Sequence, residues 1–200
     1  MVAVMQIRWW AMPQSLCISP VDQKQLLLTA RMAIASRWQN NAIAKNSLPL
    51  SVKDKQLGNF VSLHIQGALR GCIGLIETNQ PLSITLVSNA LSCAFNDPRF
   101  PPLTKDELAQ CQIEISLLSP THQLVFNRKI DLLTQLKPTH GLILEDTNRL
   151  AVFLPQVWQQ LPKPQQFVDA LLRKGGWSEK FWSDRIKART FTSLVIAEST

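Results

Sequence analysis

No stretch of the 200 residues approaches the ~18 uninterrupted apolar positions of a membrane-spanning helix, so none is expected. The four cysteines (Cys17, Cys72, Cys93 and Cys111) include no CxxC pair, and no histidine stands at ligand spacing from another histidine or a cysteine. That leaves no zinc ribbon or finger, and thiols this sparse do not make a disulfide framework. The N-terminus, MVAVMQIRWWAMPQS, has no basic segment ahead of an apolar run, and Gln6 and Arg8 interrupt what apolar run there is. It does not read as a signal peptide. The expected setting is the cytoplasm, with reduced thiols. No internal repeat, GxGxxG, P-loop, GxSxG or HExxH pattern occurs, which removes support for nucleotide cradles, nucleophile-elbow hydrolases and zincins. Neither a metal nor another cofactor is expected.

What is present describes a compact chain. Hydrophobic residues make up 46% and charged residues 18%, too apolar and too weakly charged for disorder. The length corresponds to one domain, large enough to bury ~70% of its unfolded surface without a staple. The net charge of +7 comes from 21 Lys and Arg against 14 Asp and Glu, scattered along the chain. Only Arg185, Lys187 and Arg189 resemble a stripe. A solvated strand face accounts for them, and nucleic acid is not an expected partner.

Residues 1–18 show no sustained period and are taken as an N-terminal extension. Ser19-Pro20-Val21-Asp22 then opens a helix, with Ser19 as N-cap and Asp22 answering it, running to about residue 40. A polar loop follows to residue 58. Residues 60–65 alternate as a strand, Gln66-Gly67 supplies a two-residue turn, and 68–76 return. Pro81 opens a second helix that ends before Asp97-Pro98, where a stiff proline-rich loop begins. Further elements are a strand over 112–118, a short helix over 128–136 and a hairpin over 141–154 turning at Thr147-Asn148. Short helices over 155–161, 164–174 and 178–184 precede a closing strand over 185–196. Hairpins with interspersed helices argue an α+β fold with a largely antiparallel sheet.

Leu69-Arg70-Gly71-Cys72-Ile73-Gly74 is the segment richest in chemistry. Strict alternation puts Arg70 and Cys72 on one face, where the cation would favour a nucleophilic thiolate. Gly71 and Gly74 would admit another backbone or a ligand. The unbroken hairpin register weighs the other way. Pairing Leu63 with Arg70 and Val61 with Cys72 surrounds the thiol with apolar neighbours, as in a buried structural cysteine. It also puts His64 on the opposite face. Arg70 needs a carboxylate, with Asp97 or Glu114 favoured, or else a bound anion. His122 and His140 read as loop residues.

Five segments stand in a recognisable order: Phe60 to Leu63, Leu69 to Gly74, Asp97-Pro98-Arg99-Phe100-Pro101-Pro102-Leu103, Ile113 to Pro120, and Phe153-Leu154-Pro155-Gln156-Val157-Trp158. Together they resemble the AMMECR domain, protein A of the AmmeMemoRadiSam system, over residues 19–196. The resemblance implies an α+β fold of two unequal lobes forming a cleft, and association with a Memo-type protein and a radical S-adenosylmethionine enzyme. It implies no defined reaction. Transferred by position, Arg70, Cys72, Asp97, Arg99, Glu114 and Gln156 carry the functional side chains. The extended N-terminus and the lack of tyrosine depart from the family pattern outside these motifs.

Two functions follow. As an enzyme, the chain would use Cys72 as a cleft nucleophile and Glu114 to move protons, with Arg70 or Arg99 holding an anionic group. As an adaptor, it would present Phe100 and Trp158 with the proline-rich loop to a protein partner.

Overall fold

The computed structural model describes residues 18–39, 48–49, 51–178 and 181–198. The elements in chain order are α1 (Pro20–Ala35), β1 (Asn59–Ile65), β2 (Ala68–Leu75), α2 (Leu82–Phe95), α3 (Lys105–Gln110), β3 (Gln112–Leu118), β4 (His122–Leu124), α4 (Lys129–Gln135), β5 (Gly141–Asp146), β6 (Arg149–Phe153), a 3-10 turn Pro155–Gln159, α5 (Pro164–Lys174), β7 (Lys187–Phe191) and β8 (Ser193–Ala197). They form an α+β fold of two antiparallel four-stranded sheets, in the orders β2-β1-β3-β8 and β4-β7-β5-β6.

In the first lobe, α1 and α2 cover one face of the sheet. Val61, Leu63, Ile113, Ile115 and Leu117 point into this core and meet Leu26, Ile34, Leu86 and Ala90 of the helices. Ser19 caps α1 as expected, accepting from the Asp22 N–H. Asp22 does not reciprocate: its carboxylate takes the Ser51 hydroxyl at 2.7 Å. The helix ends at Ala35, short of residue 40, because Ser36 to Trp38 turn out of it and Trp38 packs edge-on against Phe95. Pro81 offers α2 no capping side chain; the carbonyls of Lys53 and Lys55 receive the first helical N–H groups instead. A buried polar link then fixes α2 to β1. Asn89 donates to the Asn59 carbonyl oxygens of backbone and side chain, and Asn59 donates to Thr85.

The second lobe packs α4 and α5 against its own sheet. Phe167, Leu171 and Leu172 are fully buried among Leu132, Leu142 and Leu144. Trp158 stacks on Phe167 at a centroid distance of 4.0 Å, so it is a core residue and no interface anchor. Three sequence expectations change here. The closing strand is two strands, β7 in the second sheet and β8 in the first, separated at Thr192. His122 belongs to a short strand rather than a loop. The described residues of 178–184 form no helix, with 179–180 outside the described set; Cys17 and Trp9-Trp10 lie outside it as well.

The chain crosses between lobes side by side at two points. Ser119 donates its N–H to the Thr192 carbonyl, and its hydroxyl accepts from the Thr192 N–H, both at 2.9 Å. Beside this crossing, Glu77 of the first lobe accepts two 2.7 Å bonds from Arg189 of β7. One cation of the suspected basic stripe is therefore neutralised within the fold. Between the lobes, the sheet face not covered by α1 and α2 is left to form a cleft.

Candidate functional site

The β1–β2 hairpin decides what faces this cleft. Gln66 and Gly67 both take positive φ, +51° and +77°, giving the tight turn the sequence predicts. Ile65 pairs with Ala68 as expected, and His64 with Leu69. The register then slips, because Leu63 pairs with Gly71, leaving Arg70 as the extra residue of a bulge. Beyond it, Cys72 opposes Ser62 instead of Val61. A one-residue slip exchanges the faces of a strand. Cys72 thus leaves the apolar core face and joins Ser62 on the cleft face, half-buried, where the Ser62 hydroxyl donates to Sγ at 3.2 Å. Alternation also carries His64 to that face, correcting the expectation that it lies opposite; among the described residues it does not line the cavity at Cys72.

Gly71, pointing the other way, lies against α2. A Cβ there would come within 2.6 Å of the Cys93 carbonyl oxygen, so the strand approaches the helix only without a side chain. Gly74 sits opposite Phe60, and a Cβ would meet its ring at 2.4 Å.

Arg70 pairs with neither Asp97 nor Glu114. Its guanidinium bonds Glu107 of α3 through Nε at 2.9 Å and Nη2 at 3.2 Å, and donates to the Pro101 carbonyl. The bulge turns it toward the sheet edge, where α3 passes. Glu107 also closes a capping box with Thr104, and Arg70 with the Thr104 N–H holds its carboxyl down at about 2. The Thr-Lys-Asp-Glu spacing from Thr104 to Glu107 is a capping-box signal that could have located this helix and its acid.

Asp97 and Arg99 are spent on Cys72 itself. β2 is an edge strand, and the backbone of Cys72 points outward, away from β1. Asp97 Oδ2 accepts the Cys72 N–H at 2.9 Å, and Arg99 Nη2 donates to its carbonyl at 3.0 Å. The two side chains pair with each other at 2.6 Å. The Arg99 guanidinium, helped by backbone N–H groups, keeps buried Asp97 well below the usual carboxylate range. A proline-stiffened loop therefore replaces the missing neighbour strand at one residue. The Arg70 and Arg99 guanidinium groups both stand over the Phe100 ring, 5.7 and 5.4 Å from its centroid, which ties it into this clamp.

Cys72, Glu114 and Gln156 line one cavity of about 650 Å³ between the lobes. Ser62 stands between the first two, opposite Cys72 on one side and Glu114 on the other. Gln156 comes from the 3-10 turn of the second lobe; its Nε2 reaches Ser116 at 3.4 Å while Oε1 is buried without a partner. The walls are largely apolar, from Phe60, Leu75 and Ile76 on one side to Val152, Phe153 and Leu154 on the other. Sequence reasoning missed two contributors, Ser62 and Lys174. Lys174, in the last turn of α5, lines the same cavity, near enough for ionised Cys72 to act on it electrostatically. By contrast, Cys93 and Cys111 are buried, and burial pushes the Cys93 thiol up to about 12. Among the described residues no group of three His, Cys, Asp or Glu could hold a metal ion.

This arrangement can be set beside known proteins. The AMMECR1 family model matches residues 27–196. The chain belongs to the AMMECR1 family. A Methanothermobacter thermautotrophicus protein is 36% identical over 143 residues, 70% of this chain and 74% of that one. One from Aquifex aeolicus is 31% identical over 186 residues, 89% and 93% of the two chains. The crystal structure of the uncharacterized protein PH0010 from Pyrococcus horikoshii superimposes with a TM-score of 0.81 at 27% identity, covering 91% of this chain and 94% of that one. The AMMECR1 fold thus accounts for both lobes and for the cleft between them.

Proposed function

We propose that this AMMECR1-family protein carries nucleophilic thiol chemistry in its inter-lobe cleft, working in the cytoplasm as one component beside a Memo-type protein and a radical S-adenosylmethionine enzyme. The observation that supports the chemistry is the placement of Cys72. Its thiol opens into a largely apolar cavity with Glu114 nearby, and its backbone is held on both sides by Asp97 and Arg99. A structural cysteine needs no such clamp. Held backbone, accessible sulfur and an acid in the same cavity are what a nucleophile requires.

In the proposed step the Cys72 sulfur bonds to an electrophilic carbonyl carbon and the bond to the leaving group breaks. The thiol proton ends on the departing group, with Glu114 the acid–base group of the cavity that carries it there, so atoms and charge balance. The partnership comes from the family resemblance, and the adaptor reading has lost one of its anchors with the burial of Trp158.

Iodoacetamide labelling of the native protein with peptide mapping tests the reading. Cys72 is expected to be modified first, while Cys93 and Cys111 stay protected until denaturant is added. An unmodified Cys72 in folded protein overturns the thiol chemistry. For the partnership, a tagged chain should co-purify with the Memo-type protein, and Arg99→Ala with Phe100→Ala should weaken that recovery. Failure to co-purify removes the partnership and leaves the thiol chemistry standing.

A further inference from the structure

We infer that Lys174 is the anion-holding group of the cleft, and that the ligand taken there is an organic anion with an apolar body whose charged end lies beside Cys72. The inference rests on the cleft being the functional site, but not on the reaction proposed for the thiol.

The cations expected to hold an anion are already occupied. Arg70 is paired with Glu107, and Arg99 with Asp97 and the Cys72 carbonyl. Lys174 differs. Its ammonium donates to the Val152 carbonyl at 2.8 Å and stands 5.2 Å from the Phe153 ring centroid. Among the described residues no carboxylate lies within ion-pair distance of it, whereas Arg31, Lys129 and Arg189 each have at least one. Burial lowers its pKa, and the charge of ionised Cys72 works against that. Although the residue keeps much of its surface in solvent, an ammonium with one carbonyl and a ring for company has donors to spare and no counter-charge, which an entering anion supplies.

Position in the cavity gives the ligand its polarity. Lys174 belongs to the second lobe and Cys72 to the first, so one bound group touching both would bridge the lobes. Glu114, which would repel an anion, lies two strands away from Cys72, across Ser62. The anionic end is thereby directed to the Cys72–Lys174 side. Phe60, Leu75, Ile76 and Leu154 offer the rest of the ligand an apolar wall.

Equilibrium dialysis with octanoate, octanol and octylamine tests this on the full chain. Octanoate is expected to bind about tenfold more tightly than octanol, with octylamine weaker than either, one charge-assisted contact being the difference. Lys174→Met removes the ammonium and keeps an unbranched side chain of similar reach; it should cost octanoate about tenfold in affinity and leave octanol unchanged. Lys174→Arg should retain most of the octanoate preference. Octylamine binding as well as octanoate on the unaltered chain, or Lys174→Met leaving octanoate unaffected, overturns the inference, as does the absence of saturable octanoate binding. Cys72→Ser separates the two ideas. In it the readout is the ratio of octanoate to octanol affinity, which should stay in favour of octanoate through Lys174, and an iodoacetamide-inert thiol in the unaltered chain removes the thiol chemistry alone.

Discussion

Replacing Glu107 by Gln tests whether the Arg70 pair holds the edge of the first lobe. Arg70 is nearly buried, its side chain 12% exposed, while Glu107 is 32% exposed. Breaking a fully buried pair from one side costs about 3–5 kcal/mol, and breaking an exposed pair costs about 0–1 kcal/mol. A half-open pair falls between, at about 2 kcal/mol. The titration agrees. A carboxyl lowered from 4.5 to about 2 sets a ceiling of about 3 kcal/mol, which solvent screening at a partly open group reduces to about 2 kcal/mol. In urea this moves the unfolding midpoint down by about 1 M. Because the folded value lies below the unfolded one, the stabilisation is fully present above pH 4.5 and is lost as pH falls toward 2. The gap between wild type and Glu107→Gln should be constant from pH 7 to 6 and about half closed at pH 3.5. Arg70→Met combined with Glu107→Gln should recover part of the loss, since no charge is left unpaired. Coincident melts at neutral pH, or a gap that does not close in acid, would refute this account.

Other outcomes follow from the same geometry. Asn89→Ala strands the buried Asn59 amide oxygen and should destabilise the first lobe by about 2 kcal/mol in urea melts, whereas Ser88→Ala one residue earlier should be nearly neutral. Gly71→Val drives a side chain into the Cys93 carbonyl and should lower the thermal midpoint by several degrees or abolish soluble expression. Asp97→Asn removes the charge that pairs Arg99 and weakens the hold on the Cys72 N–H. Amide exchange at Cys72 should then quicken about tenfold or more with the rest of β2 little changed.

Local physics made much of the fold legible. Ser19-Pro20 starts α1, Gln66-Gly67 turns the first hairpin and Pro164 to Lys174 bounds α5, because capping, positive φ and proline constraints act within a few residues. The ordered motifs identified the family, and three of their side chains, Cys72, Glu114 and Gln156, do meet in one cavity. The pairing of Arg70 and the face of Cys72 were not legible. Both depend on one bulged residue, whose cause lies in contacts with Glu107 and Pro101 some thirty residues away. Lys174 was likewise only one of many scattered cations until α5 packed against β6 and placed it on the cavity wall.

By itself, then, the sequence determined the elements, the α+β class and the family, since these rest on short-range periodicity and on motif order. Only the tertiary structure decided that the thiol faces the cleft, that its Arg neighbours are already paired, and that a lysine from the other lobe lines the same cavity. A sheet face is set by register, and register by contacts distant in the chain.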